Sequence, residues 1–244
     1  MARVTVVDSA QAVAATAADH LTSLIEQSIE DRARARVCLT GGRTARRLYE
    51  RLANPVGPQR IDWSRVQLFW GDERHVPPDD PESNFGMAQR TLLARVAIPA
   101  SQIHRMRGEL RDPAVAASEY EAVLLQCAGK DPMFDVMLLS LGEDAHVASV
   151  FPGSPLLHDR GAGLVRAIPQ EKGPWRMTLS PRALVDADAI LALASGNAKA
   201  DALRAALEPP DDVVRWPAQL LRTAGERVEW VVDREAASGL SAIR

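Results

Sequence analysis

Two periods of apolar and polar positions alternate along this chain. Short, almost wholly apolar runs recur at residues 4–7, 37–39, 66–70, 134–139, 189–194 and 228–232. Runs of that length and composition predict strands buried on both faces. Between them, apolar residues fall at helical spacing. After Ser9, a candidate N-cap, Val13, Ala17, Leu21, Leu24, Ile25 and Ile29 mark one buried face of a helix. Arg32, Arg34 and Arg36 follow and read as its solvated exit. Further helices are predicted over 45–52, ended by Asn54, Pro55, Gly57 and Pro58, and over 84–95. Another covers 113–127, with Pro113 at the favoured first position, and another 198–207. Residues 71–83, with Pro77, Pro78 and Pro81, read as a long polar loop. A short extended piece is expected around Ile103, short strands over 164–168 and 176–179, and a short helix over 216–221. Asp233 is placed to cap a last helical turn.

Strands alternating with helices predict an α/β fold, a mostly parallel sheet with helices on both faces. The chain has 244 residues, 46% of them hydrophobic, enough for one large domain over residues 1–244. No repeat, low-complexity segment or linker divides it. A net charge of -3 gives no basic excess for nucleic acid or an anionic membrane surface. A small anionic ligand remains compatible, because local arginines decide that. No run approaches the ~20 apolar residues of a membrane span. Residues 1–8 alternate rather than forming a signal-peptide core. Cys38 sits in an apolar run and Cys127 at a helix end, which fits two reduced thiols in a cytoplasmic protein.

Ligands of open α/β sheets bind beyond the carboxyl ends of the strands, so the loops after the apolar runs are the places to look for chemistry. The run over 134–139 ends in a glycine-bearing loop carrying Glu143, Asp144 and His146. Histidine takes and returns a proton near neutral pH, and an adjacent carboxylate can orient it. Asp144 and His146 also offer two metal ligands, but no further His or Cys is grouped with them, so no metal is expected. Thr40-Gly41-Gly42-Arg43-Thr44 joins a strand to a helix and reads either as a phosphate cradle or as a plain tight turn. It lacks the Gly-Lys-Ser/Thr ending of a Walker loop and the GxGxxG fingerprint. Gly71-Asp72-Glu73-Arg74-His75 places charges at another strand end. There Arg74 suits a carboxylate or an oxyanion, and Asp72 a sugar hydroxyl. The alternative is a solvated charge run, and His75 is the weaker histidine candidate. Lys199, in Ser195-Gly196-Asn197-Ala198-Lys199, opposes the dipole of the helix it opens unless an anion binds there. Arg176 would add a second cation.

Taken together, these motifs resemble the 6-phosphogluconolactonase family. The stretches that carry the resemblance run from Leu39 to Thr44 with Arg47-Leu48-Tyr49, from Trp70 to Asn84, and from Gly142 to Pro155. Arg176-Met177-Thr178-Leu179, Gly196-Asn197-Ala198-Lys199-Ala200 and Pro217-Ala218-Gln219-Leu220 follow in order. The resemblance implies a Rossmann-like three-layer sandwich shared with glucosamine-6-phosphate deaminases. It implies hydrolysis of 6-phospho-D-glucono-1,5-lactone to 6-phospho-D-gluconate, the second step of the oxidative pentose phosphate route, with no cofactor or metal. The expected partner is a small sugar phosphate lactone, and the expected state a monomer or weak dimer.

On this reading His146 is the general base, oriented by Asp144 or Glu143, with Arg74 at the oxyanion and Asp72 nearby. Gly41, Gly42, Arg43, Thr44, Arg176 and Lys199 hold the phosphate, and Asn84 belongs to the binding set. The chain departs from the family pattern at three places. Ala145 stands where glycine is usual, at a cost of roughly 1 kcal/mol if that residue needs a positive φ. Arg43, Thr44 and Ala45 replace a small hydroxyl residue followed by Thr-Pro, and Ser140 replaces a common glycine. Two alternatives are an amino-sugar-phosphate isomerase or deaminase on the same fold, and a non-catalytic sugar-phosphate-binding protein.

Overall fold

The computed structural model describes residues 2–55, 61–127, 133–159, 161 and 163–241. Its strands are β1 (Arg3–Val7), β2 (Ala35–Leu39), β3 (Val66–Trp70), β4 (Asp72–Arg74), β5 (Phe134–Ser140), β6 (Val165–Ile168), β7 (Arg176–Leu179), β8 (Ala187–Ala194) and β9 (Val228–Asp233). Its α-helices are α1 (Ala10–Arg32), α2 (Arg43–Ala53), α3 (Asn84–Thr91), α4 (Pro113–Cys127), α5 (Pro181–Leu184), α6 (Ala200–Leu207) and α7 (Arg234–Ala237). Six strands pair in parallel in the order β1-β9-β8-β5-β2-β3. Apart from the edge strand β1, where Val4 and Val6 are exposed rather than buried as their apolar run predicts, successive residues of these strands enter opposite cores. Val37, Leu39, Val136 and Leu138 pack with α1 and α2, whereas Cys38, Met137, Leu139 and Ile190 pack with α4 and α6. This double burial explains why the runs carry so few polar residues.

Caps set the helix ends. Ser9 Oγ accepts from the Ala12 N–H at 3.2 Å, and Asp112 accepts from the Ala114 N–H at 2.8 Å just before α4. Asp233 accepts from the Ala236 N–H at 2.8 Å and caps α7, as its sequence position predicts.

Several elements differ from what the sequence predicts. Arg36 is not solvated: it lies inside β2, 4% exposed, and its guanidinium donates to Asp135 on neighbouring β5 at 3.2 and 3.3 Å. Arg32 reaches the same carboxylate and Asp188. A charge is tolerated in a dry strand only with such a partner. Residues 71–83 are not all loop either, since β4 pairs antiparallel with β7, and β7 with β6, in a separate small sheet. Its two carboxylates, Asp72 and Glu73, are buried because their polar needs are met. Glu73 accepts backbone N–H bonds from Arg74, Asn84 and Phe85 at 2.7–2.8 Å, and so also closes the start of α3. The helix read over 84–95 ends at Thr91 and resumes as a 3-10 turn, Leu93–Arg95. The helix read over 198–207 likewise begins as a 3-10 turn, Asn197–Lys199. Gly57 and Pro58 lie outside the described residues.

Candidate active site

A cleft of about 580 Å³ opens over the carboxyl ends of the parallel strands. Two buried tyrosines fix the strand ends that feed it. Tyr49 OH donates to the Thr40 carbonyl at 2.7 Å and accepts from the Thr40 N–H at 3.0 Å, just past β2. Tyr120 OH does the same for Trp70 at the end of β3, at 3.0 and 2.8 Å. Burial pushes both phenols far above their ordinary range, so they stay neutral and keep both roles.

His146 stands at the cleft wall with its side chain 32% exposed. Its Nδ1 lies 2.5 Å from Asp144 Oδ1, and its backbone N–H donates to the same oxygen at 3.1 Å. Burial raises the Asp144 pKa, but the hydrogen bond from His146 and its charge outweigh that, leaving the carboxyl below its usual value. The ring packs on Phe151, with centroids 4.6 Å apart, and lies flat against Gly142. A Cβ on Gly142 would stand 2.1 Å from His146 Nδ1, so only glycine leaves room for the imidazole. Ala145 is fully buried with φ 63°, the left-handed conformation in which its missing glycine matters.

The glycine loop follows β2. Gly42 caps α2 with φ 102°, which turns the chain so that Arg43 opens the helix two residues earlier than the sequence reading placed it. Ser140 Oγ donates to the Gly41 carbonyl at 3.0 Å and ties this loop to the end of β5. Arg43, Thr44, Arg74 and Lys199 line the cleft with Gly41 and Gly42. Burial lowers the Lys199 pKa; Glu143, 3.8 Å away, opposes that.

Asp72, 7% exposed, also lines the cleft. Its carboxylate accepts from Ser149 Oγ at 2.7 Å and from Asn84 Nδ2 at 3.2 Å. Thus His146, Asp72, Arg74, Asn84, Lys199 and the glycine loop come together. Glu143 does not reach the imidazole but pairs with Lys199, so Asp144 alone of the two carboxylates orients the ring. Arg176 does not line the cleft. It lies opposite Arg74 across the β4–β7 pairing, and burial together with the charge of Arg74 lowers its pKa. His75 is turned away, with Nε2 2.6 Å from the Leu110 carbonyl.

Arg47 and Glu235 also line the cleft, although the sequence assigned neither a role and Arg47 entered only as part of a stretch that carries the resemblance. Arg47 follows Arg43 by one helical turn, a spacing that signals the shared face. Glu235 is brought there by Asp233, which caps α7 and also accepts from Ser195 Oγ and the Gly196 N–H at 2.6 and 3.0 Å. Ser149, which sets Asp72, gives no sequence signal, because that contact spans 77 positions. Among the described residues, no group of three or more His, Cys, Asp or Glu side chains is arranged to hold a metal ion.

The chain matches the family described as glucosamine-6-phosphate isomerases/6-phosphogluconolactonase over residues 8–230. It is 36% identical over 224 residues to a 6-phosphogluconolactonase of Synechocystis, covering 90% of each chain. It is 37% identical over 234 residues to one of Mycobacterium tuberculosis, covering 93% of each. The solved structure of 6-phosphogluconolactonase from Trypanosoma brucei is similar with a TM-score of 0.87 at 27% identity, covering 99% of both chains.

Proposed function

Because the chain belongs to the family of glucosamine-6-phosphate isomerases and 6-phosphogluconolactonases, we propose that its cleft hydrolyses 6-phospho-D-glucono-1,5-lactone to 6-phospho-D-gluconate, with His146 as general base. The observation that carries the assignment of the base is the Asp144–His146 bond at the wall of a cleft that also holds Lys199 and the glycine loop. With Nδ1–H held by Asp144, Nε2 keeps its lone pair for a water molecule.

That water attacks the lactone C1 carbonyl and gives its proton to Nε2. The tetrahedral intermediate collapses, the bond from C1 to the ring oxygen breaks, and the imidazolium returns the proton to the departing oxygen. Proton transfer of this kind accelerates a reaction about 10²–10⁴-fold. Arg74 faces the developing oxyanion. Lys199, Arg43 and Thr44 hold the 6-phosphate against Gly41 and Gly42, and Arg47 adds charge from the next turn of α2. A bound dianion replaces Glu143 as the partner of Lys199. Asp72, fixed by Ser149 and Asn84, accepts a sugar hydroxyl. Arg176 acts through Arg74 rather than on the substrate.

Among the described residues no helix is long and apolar enough to cross a membrane, and both cysteines are unpaired. Those features support a cytoplasmic location.

The test is hydrolysis of fresh lactone, generated in situ, by the wild-type chain and by His146→Ala. A rate above the spontaneous one that depends on His146 is expected. Ammonia release from glucosamine 6-phosphate instead would replace this reading with a deaminase. Binding of 6-phosphogluconate without turnover would replace it with a binding protein.

A further inference from the structure

A second groove, of about 420 Å³, runs between α2 and α3. It joins the cleft at Gly42, Arg43, Arg74 and Asn84, which line both spaces. Beyond that junction Arg46, Arg90 and Arg95 line the groove alone. Helical spacing puts them there: Arg43, Arg46 and Glu50 share one side of α2, and Met87, Arg90 and Thr91 one side of α3.

The groove sets five arginines against two glutamates, Glu50 and Glu82. Glu50 is engaged by Arg46 at 3.1 Å. Arg74 donates to the backbone carbonyl of Glu82, not to its carboxylate. Among the described residues, Arg43, Arg90 and Arg95 have no ion-pair partner, and Arg74 Nε is buried with no hydrogen-bond partner. The whole chain carries a net charge of -3, so this excess of positive charge is local. Guanidinium groups gathered without counter-charge repel one another, and an anion bridging them relieves that. Their planar donor forks match phosphate oxygens.

We propose that the α2–α3 groove is a second anion subsite, adjoining the phosphate pocket at Lys199 and sharing Arg43 with it, for a ligand bearing a pyrophosphate or bisphosphate group. One phosphoryl group suits the pocket formed by Lys199 and the glycine loop. The groove instead presents guanidiniums from two helices, with Arg43 and Arg46 about 4.5 Å apart along the axis of α2. The three guanidiniums without an ion-pair partner, Arg43, Arg90 and Arg95, carry more charge than one phosphoryl group neutralises, so a ligand with two is the better match. Pro81 and Met87 supply apolar surface for whatever the phosphates are attached to. The inference does not depend on which lactone the cleft accepts.

The probe is inorganic pyrophosphate, titrated calorimetrically into the full chain. The wild type is expected to bind it, and Lys199→Ala to retain one equivalent with affinity within about twofold. The double variant Arg90→Ala/Arg95→Ala is expected to lose at least tenfold in affinity. Both arginines are exposed, so its unfolding midpoint and its lactone kcat should not change. Loss of binding in Lys199→Ala, retention in the double variant, or no binding to the wild type at millimolar pyrophosphate would each overturn the proposal. If these arginines only draw the substrate toward the cleft, the double variant will lower kcat/KM in a salt-dependent way without losing pyrophosphate, which also overturns it.

Discussion

β2 and β5 begin at a closed pair of charges and end at an open set. At their start, Arg36 and Asp135 are 4% and 2% exposed and bound to each other. Beyond their far ends, Arg43 and His146 line a cleft together with Lys199. At the first end Arg36 and Asp135 are bound to each other and Arg32 reaches the same carboxylate, although Arg36 Nη1 keeps no hydrogen bond. At the second Arg43 has no ion-pair partner and Lys199 only Glu143 at 3.8 Å, which leaves positive charge for a ligand to neutralise. Two strands can therefore carry stability at one end and chemistry at the other with little interference, because the interior between them is apolar. Val37, Cys38 and Leu39 separate Arg36 from Thr40, and residues 136–139 separate Asp135 from Ser140.

Mutations at the two ends should separate stability from activity. The largest effect is expected at the open end. His146→Ala should lower kcat about 10²–10⁴-fold, or about 3–5 kcal/mol, while leaving the unfolding midpoint in place. A coupled assay and a thermal melt on the same sample read both. Wild-type turnover in a folded variant would remove His146 from the mechanism. At the closed end, Asp135→Ala strands Arg36 in the interior and should cost about 3–5 kcal/mol of stability by urea titration. The fraction that remains folded should turn over normally, and a loss of kcat matching that of His146→Ala would erase the contrast between the two ends.

Lys199→Ala is the milder test of the cleft. Its KM for the lactone should rise about tenfold, about 1.4 kcal/mol, with kcat less affected. An unchanged KM would move the phosphate elsewhere. The smallest effect is a gain. Ala145→Gly relieves a left-handed alanine and should stabilise the chain by about 0.5–1 kcal/mol, because relief of the Cβ clash exceeds the added chain entropy. A loss of stability at that position would show that the surrounding packing, not φ, governs the residue.

The strands of the large sheet other than β1 were legible because double burial writes itself as uninterrupted apolar runs, whereas β1 was legible as a strand although it is not buried. The site loops were legible because they follow those runs directly. At residue 145 the resemblance raised the question of a positive φ, since glycine is usual there, and the structure answers it with 63°. Pairings between distant segments stayed hidden. Arg36 reads as solvated because its partner lies 99 positions away. β4 reads as loop because its three charged residues have no apolar signature, and β7, which pairs with it, is distant in sequence. Glu143 and Asp144 could not be told apart by sequence as partners of His146. Only the turn geometry aims Asp144 at the ring and sends Glu143 toward Lys199.

β1 pairs with β9 alone, and Thr5 meets Glu229 across 224 positions. At roughly 5–20 residues per second, a ribosome releases the first of these strands some 10–45 s before the second. The edge of β8 that β9 will cover waits far less, about 2–7 s, because 34 positions separate Ala194 from Val228. The first strand of the chain is therefore the one that goes longest without its only neighbour in the sheet.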